Sequence, residues 1–143
     1  MSGRDPEIQW QHITLPQRPP DAAETLLGTE ARRAFDNAGG GGVEPVVVAA
    51  TRGDQWLAAM LVFVEPEHAL ASIRQLVVVP AARGQGLGGR LVRRAVNLAR
   101  EHNARRVRST AGFGCPDHRH MYERLGFEDT DADERPYLMS RAV

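Results

Sequence analysis

The chain has 143 residues, 42% hydrophobic and 25% charged, which suits one domain with a single core and is too short for two. Its 18 basic residues, all arginine, balance 18 acidic ones, so no global charge favours nucleic acid or an anionic membrane, and any anion site must be local. One cysteine, Cys115, excludes an internal disulfide, and no apolar run approaches the roughly 20 residues of a membrane-spanning helix. A cytoplasmic single domain over residues 1–143 is expected, with residues 1–6 flexible and no signal-peptide core.

In chain order, Glu7 to Thr14 alternates Ile8, Trp10 and His12 with Ile13 near its end, predicting a first strand that Pro16, Pro19 and Pro20 terminate. From Asp21 a helix is expected, with Asp21 as cap and Glu24 in capping-box position. Its apolar stripe is Ala22, Leu26, Leu27, Ala31, Ala34 and Phe35. Gly39 to Gly42 reads as a flexible loop, because no helical pattern follows that would make it a phosphate cradle. Three apolar segments come next, Pro45 to Ala50, Trp56 to Val64 and Ala69 to Val79. The short polar connections between them predict antiparallel hairpins. In the third segment Ala71 and Ile73 share one parity and Leu76 and Val78 the other, so a β-bulge is expected near residues 74 to 77.

Gly88 to His102 carries Leu91, Val92, Ala95, Leu98 and Ala99 at helical spacing, with arginines opposite. Arg105 to Thr110 reads as a strand which, after a crossover helix, should run parallel to the segment before the glycines. A short helix from about Asp117 to Leu125 is stopped by Gly126, and Phe127 to Val143 reads as a final hairpin.

Between the third apolar segment and the long helix stands Val79-Pro80-Ala81-Ala82-Arg83-Gly84-Gln85-Gly86-Leu87-Gly88-Gly89, a strand end followed by a glycine-spaced turn into a helix. Amides at a helix start lack intrahelical partners and sit at the positive end of the helix dipole, so they attract phosphate where no side chain blocks the approach. Gly84, Gly86 and Gly88 clear that approach. The run also satisfies the dinucleotide fingerprint, but antiparallel hairpins precede it where a dinucleotide fold places it at the first βα turn. A mononucleotide P-loop needs a lysine, and the chain has none.

The longer string Leu76 to Gly88, followed by Tyr122-Glu123-Arg124-Leu125-Gly126-Phe127, resembles the GCN5-related N-acetyltransferase (GNAT) family. That family's Arg/Gln-x-x-Gly-x-Gly/Ala signature falls on Arg83, Gly86 and Gly88, and its Tyr-x-x-Leu-Gly-Phe element on Tyr122, Leu125, Gly126 and Phe127. The resemblance implies an α/β (α+β) GNAT fold: a mixed, mostly antiparallel sheet flanked by helices, whose splayed parallel strand pair binds acyl-CoA. It further implies acetyl-CoA as co-substrate. The pyrophosphate would rest on Arg83, Gly84, Gln85, Gly86, Leu87, Gly88 and Gly89, and the pantetheine would pair with Leu76, Val77 and Val78. Tyr122 takes the position of the family's proton donor, and a backbone amide at Val78 or a neighbour that of the oxyanion donor.

The chain departs from the family where Asn and Ala commonly precede the tyrosine; Cys115 and His118 stand there instead. His118 lies one helical turn before Tyr122, within reach of the sulfur or of a proton shuttle, while a packing or solvated histidine is the alternative. Cys115, His118 and His120 do not make a metal site, since 118 and 120 face apart on a helix, and no metal is expected. A structural thiol suits Cys115 better than an acyl carrier. The bulged strand offers Ser72, Arg74 and Gln75 but no carboxylate, so the general base stays open. In this family residues 31–42 and 129–134 would form the acceptor pocket, and the acidic turn Asp129, Asp131, Asp133 and Glu134 favours a cationic amine or is simply solvated. The expected acceptor is a small-molecule amine. A protein acceptor and a non-catalytic acyl-CoA sensor on the same fold are the alternatives, and a homodimer through edge strands is a frequent family arrangement.

Overall fold

The computed structural model describes residues 7–38, 42–110, 116–134 and 137–143. The expected flexible terminus, Gly39 to Gly41 of the glycine loop, and Cys115 lie outside the described residues.

Seven strands form one sheet: β1 (Gln9–Thr14), β2 (Glu44–Arg52), β3 (Gln55–Glu65), β4 (Leu70–Val78), β5 (Arg106–Ser109), β6 (Glu128–Asp129) and β7 (Met139–Ala142). Their spatial order is β1-β2-β3-β4-β5-β7-β6, and β4 with β5 is the parallel pair in an otherwise antiparallel sheet. Helices α1 (Asp21–Leu27) and α2 (Thr29–Asn37) lie on one face; α3 (Leu87–Glu101) and α4 (Pro116–Arg124) lie on the other. Strand alternation accounts for this two-sided burial. In β2, Val46, Val48 and Ala50 point to the α3 face, whereas Val47 and Ala49 meet Leu27, Ala31 and Phe35 of α1 and α2. Fully burying each such valine or leucine is worth about 1.5–3 kcal/mol. Truncating Phe35 to alanine would cost about 3–5 kcal/mol.

The strands, the parallel crossover and the long amphipathic helix agree with the sequence reading, with small shifts at their ends. The first helix does not. Gly28 adopts φ 72°, a left-handed conformation no α-helix continues through, so the expected single helix is two. The Gly28 amide closes α1 on the Glu24 carbonyl at 2.8 Å. Asp21 is not a cap either. Pro20 occupies that position, its carbonyl accepting the Ala23 amide at 2.9 Å, and no side-chain cap bond forms. The buried stripe is Ala23, Leu27, Ala31 and Phe35, spaced four apart across the break; Ala22 and Leu26 are half-buried beside it.

The bulge occurs at Arg74. Leu61 of β3 pairs with Gln75 and the adjacent Val62 with Ile73, so Arg74 is the extra residue. The flip moves the following side chains by one parity: Ala71 and Ile73 face α3, and past the bulge so do Leu76 and Val78.

Candidate active site

The parallel pairing of β4 and β5 runs only from Leu70 with Arg106 to Ile73 with Ser109. At the bulge the strands part. Thr110 holds the fork, its amide donating to the Ile73 carbonyl at 3.2 Å and its hydroxyl to the Arg74 carbonyl at 2.9 Å. Beyond it, β4 continues from Arg74 to Val78 with β3 on one side and, among the described residues, no strand on the other. The Val79 amide bonds the Leu57 carbonyl of the β3 side at 2.9 Å. Antiparallel alternation then turns the backbone groups of Leu76 and Val78 towards the open slot. One of them already has a partner there: Arg83 Nε donates to the Val78 carbonyl at 3.2 Å.

The glycine turn stands at the end of this slot. Gly86 is the residue before α3, with φ 75°, a left-handed geometry that lets the chain turn sharply and leaves the first amides of α3 facing outward. No side chain caps them. Gly88, which lines the same space, also has a packing role that the sequence did not show. A Cβ there would stand 3.0 Å from Met121 Sδ, so its lack of a side chain lets α4 pack against α3.

A cavity of about 1060 Å³ joins these features. Leu76, Val77, Val78, Arg83, Gly84, Gly86, Leu87, Gly88 and Gly89 line it, so the expected donor residues are brought together, except Gln85, which is exposed outside the lining. A second, smaller cavity of about 220 Å³ lies in the fork and shares Leu76, Val77 and His118 with the first. Gln75, Ser109, Thr110 and Tyr122 complete its polar wall. His118 thus stands between the two spaces, while His120 is exposed. No group of three metal-ligating side chains occurs among the described residues.

Tyr122 is fully buried, and its ring meets Phe127 edge-on with centroids 5.1 Å apart. Burial pushes its phenol up to about 12, and the neighbouring Ser109 side chain draws it back only in part. No described group meets hydrogen-bond geometry with the hydroxyl. A phenol so placed keeps its proton at neutral pH and can give it only to something that enters the cavity.

The opposite side of the bulge carries a charged network that the sequence did not disclose. Glu30 of α2 accepts bonds from Arg74 Nε at 3.1 Å and Nη2 at 2.8 Å on one oxygen, and from Gln75 Nε2 at 2.6 Å on the other. Arg74 Nη1 donates to the Tyr137 hydroxyl at 3.3 Å, and the Tyr137 ring lies beneath Arg108 at 3.9 Å. Arg108 in turn bonds Ser72 and Glu65, at 2.9 and 3.2 Å. A carboxylate therefore does reach the bulged strand, from α2 and not from β4 itself. Of the acidic turn, Asp129 pairs with Arg119, and Asp131 and Asp133 are exposed.

Comparison with known proteins agrees with this geometry. The sequence model of the acetyltransferase (GNAT) family matches residues 8–127. No individual curated protein matches the chain. Among solved structures, a GNAT family acetyltransferase from Elizabethkingia anophelis with acetyl-CoA bound is similar at TM-score 0.71 and 14% identity, over 95% of this chain and 98% of that one. An acetyltransferase from Bacillus subtilis in complex with CoA is similar at TM-score 0.68 and 15% identity, over 94% and 99%. The ribosomal-protein-S18-alanine N-acetyltransferase from Escherichia coli reaches TM-score 0.68 at 16% identity, over 94% of each chain.

Proposed function

The chain belongs to the acetyltransferase (GNAT) family, and from that premise we propose that it transfers an acetyl group from acetyl-CoA to the primary amine of a small molecule, by direct attack while both are bound. The observation that carries this reading is the continuity of three features: the uncapped start of α3, the open edge of β4, and the fork cavity holding Tyr122 and His118.

The residues present fit such a donor. The amides after Gly86 offer an anion cradle, and the outward backbone groups of Leu76 and Val78 offer a strand-like partner for an amide-bearing arm. The thioester of acetyl-CoA supplies an activated acyl group and a thiolate leaving group. The Leu76 or Val78 amide, turned towards the slot, would hydrogen-bond the carbonyl oxygen as it gains charge. Tyr122 delivers its proton to the departing sulfur, and His118, on the wall shared by both cavities, moves a proton between donor and acceptor sides. Gln75, with Glu30 behind it, receives the incoming amine on the other side of the fork.

The test is a screen of an amine library, with acetyl-CoA as donor and free CoA as readout. Turnover with a small amine supports the assignment. Turnover only with peptides or proteins would replace the acceptor class, and CoA binding without turnover on any amine would make the chain an acyl-CoA sensor.

A further inference from the structure

The chain has four methionines, and the structure sets one of them apart. Met60 of β3 and Met139 of β7 are fully buried in the core, and Met1 lies outside the described residues. Met121 of α4 is half-buried and lines the large cavity, so among the described residues it is the one methionine that a small solute can reach. Its thioether packs on the first turn of α3. A Cβ built on Gly88 would stand 3.0 Å from Met121 Sδ and 3.7 Å from Cε, so sulfur and methyl fill the space that the missing side chain leaves. Leu76 and Leu125 line the same wall, and an apolar, flexible thioether suits such neighbours. A sulfoxide does not. Its oxygen is a strong hydrogen-bond acceptor that must find a donor or stay in water. The turn against which the sulfur packs holds the amides after Gly86 that no side chain caps, so the new oxygen would compete for the groups that cradle a pyrophosphate.

We propose that Met121 is a site of reversible oxidation by peroxide, and that its sulfoxide closes the cavity to acetyl-CoA. The thioether sulfur attacks one oxygen of hydrogen peroxide. An S–O bond forms, the O–O bond breaks with departure of hydroxide, and the proton left on the sulfur-bound oxygen passes to that hydroxide to give water. Sulfur loses two electrons and the peroxide gains them. A reductase using a dithiol reverses the change, leaving a disulfide and water. The inference rests on the cavity being the donor site and adds to it a control on donor binding.

The test uses protein carrying Cys115→Ser, so that thiol oxidation does not contribute, treated with hydrogen peroxide in the presence and absence of acetyl-CoA and then freed of oxidant. Trypsin places each methionine in its own peptide, Met121 in His120 to Arg124, and mass spectrometry reads each sulfoxide separately. Met121 is expected to oxidise well before Met60 and Met139, and more slowly when acetyl-CoA fills the cavity. Calorimetry should show the oxidised protein binding acetyl-CoA at least ~10-fold more weakly while its circular dichroism stays native, and methionine sulfoxide reductases with dithiothreitol should restore the untreated affinity. In Met121→Leu, treated and untreated affinities should be equal. Met121→Gln, which puts a polar group there without any oxidant, should bind more weakly than the leucine variant. Oxidation of Met121 without loss of affinity, the same loss in treated Met121→Leu, or oxidation of Met121 no faster than of Met60 and Met139 would overturn the inference while leaving the donor assignment intact. Failure of the untreated protein to bind acetyl-CoA would overturn both.

Discussion

Gly88 of α3 lies so close to Met121 of α4 that a Cβ on the glycine would stand 3.0 Å from the methionine sulfur. Leu76 of β4 is the next neighbour, at 3.8 Å, so one missing side chain sets the spacing of three elements that wall the large cavity. Alanine at this position gains about 1 kcal/mol of helix propensity, and Met121 is flexible enough to yield to one methyl. Valine is not so easily accommodated. Gly88→Val is expected to lower the melting temperature by several degrees and weaken CoA binding, whereas Gly88→Ala should keep both near the wild type; thermal denaturation and calorimetry on the pair decide.

The turn before it makes a sharper prediction. Gly86 has φ 75° and faces open space, so what a side chain there would meet is the ligand rather than the protein. Gly86→Glu adds left-handed strain of about 1–2 kcal/mol and a negative charge beside the phosphate cradle. CoA binding should be lost in calorimetry while the far-ultraviolet circular dichroism stays native. Retained affinity would remove the cradle from this turn.

Tyr122→Phe separates chemistry from packing. The hydroxyl is buried without a partner at hydrogen-bond geometry, so its removal should leave stability unchanged or raise it by about 1 kcal/mol. Turnover should nonetheless fall at least roughly tenfold with CoA affinity held, as for a lost proton donor. The same burial predicts an alkaline limb. Because the folded phenol ionises near 12 and the unfolded one near 10.0, the unfolded chain loses its proton first. Wild-type stability should therefore fall between about pH 10 and 12 relative to the phenylalanine variant, and denaturant titrations at those pH values would read it.

His12 gives the acid counterpart. Partial desolvation of this exposed edge-strand side chain, reinforced by the Arg94 guanidinium 3.4 Å from its Nε2, holds its imidazole below the ordinary 6.5, against a smaller opposing pull from Glu101. The unfolded chain then binds this proton more readily than the folded one. Its contribution to stability is complete above the ordinary value and declines as the pH drops through it, until the folded imidazole also protonates. His12→Gln should flatten the dependence of melting temperature on pH in that window, and an unaltered slope would show that other groups carry it.

Glu30 is expected to matter to the acceptor and not to the donor. Glu30→Gln keeps the shape but removes the charge that holds Arg74, costing about 1–3 kcal/mol for a half-buried guanidinium left with a neutral partner. The Michaelis constant for the amine should rise, while calorimetry with CoA remains as in the wild type. A parallel loss of donor affinity would assign Glu30 to the integrity of the bulge.

Much of the donor side was legible because it is local: a strand, a proline, spaced glycines and a helix announce an anion cradle within a dozen or so residues of chain. The parity slip from Ile73 to Leu76 even located the bulge to within a few residues. The charged network on the other side of the bulge, proposed above for the acceptor, was not legible, since Glu30 meets Arg74 and Gln75 across 44 and 45 positions, and nothing around Glu30 sets it apart from a solvated helix residue. The break at Gly28 was missed for a different reason. The apolar stripe keeps its four-residue rhythm through it, so periodicity reported one helix where backbone conformation makes two.

The fork at Thr110 has a consequence for how the protein keeps company. Among the described residues the stretch from Arg74 to Val78 has no strand partner on one side, in the middle of a sheet, and such an edge is a template on which an extended chain can add itself. A bound donor would complete it and shield it. Protein stripped of CoA should therefore be the form more prone to slow self-association and to faster amide exchange at Leu76 and Val78, so that the donor acts as a guardian of solubility as well as a reactant.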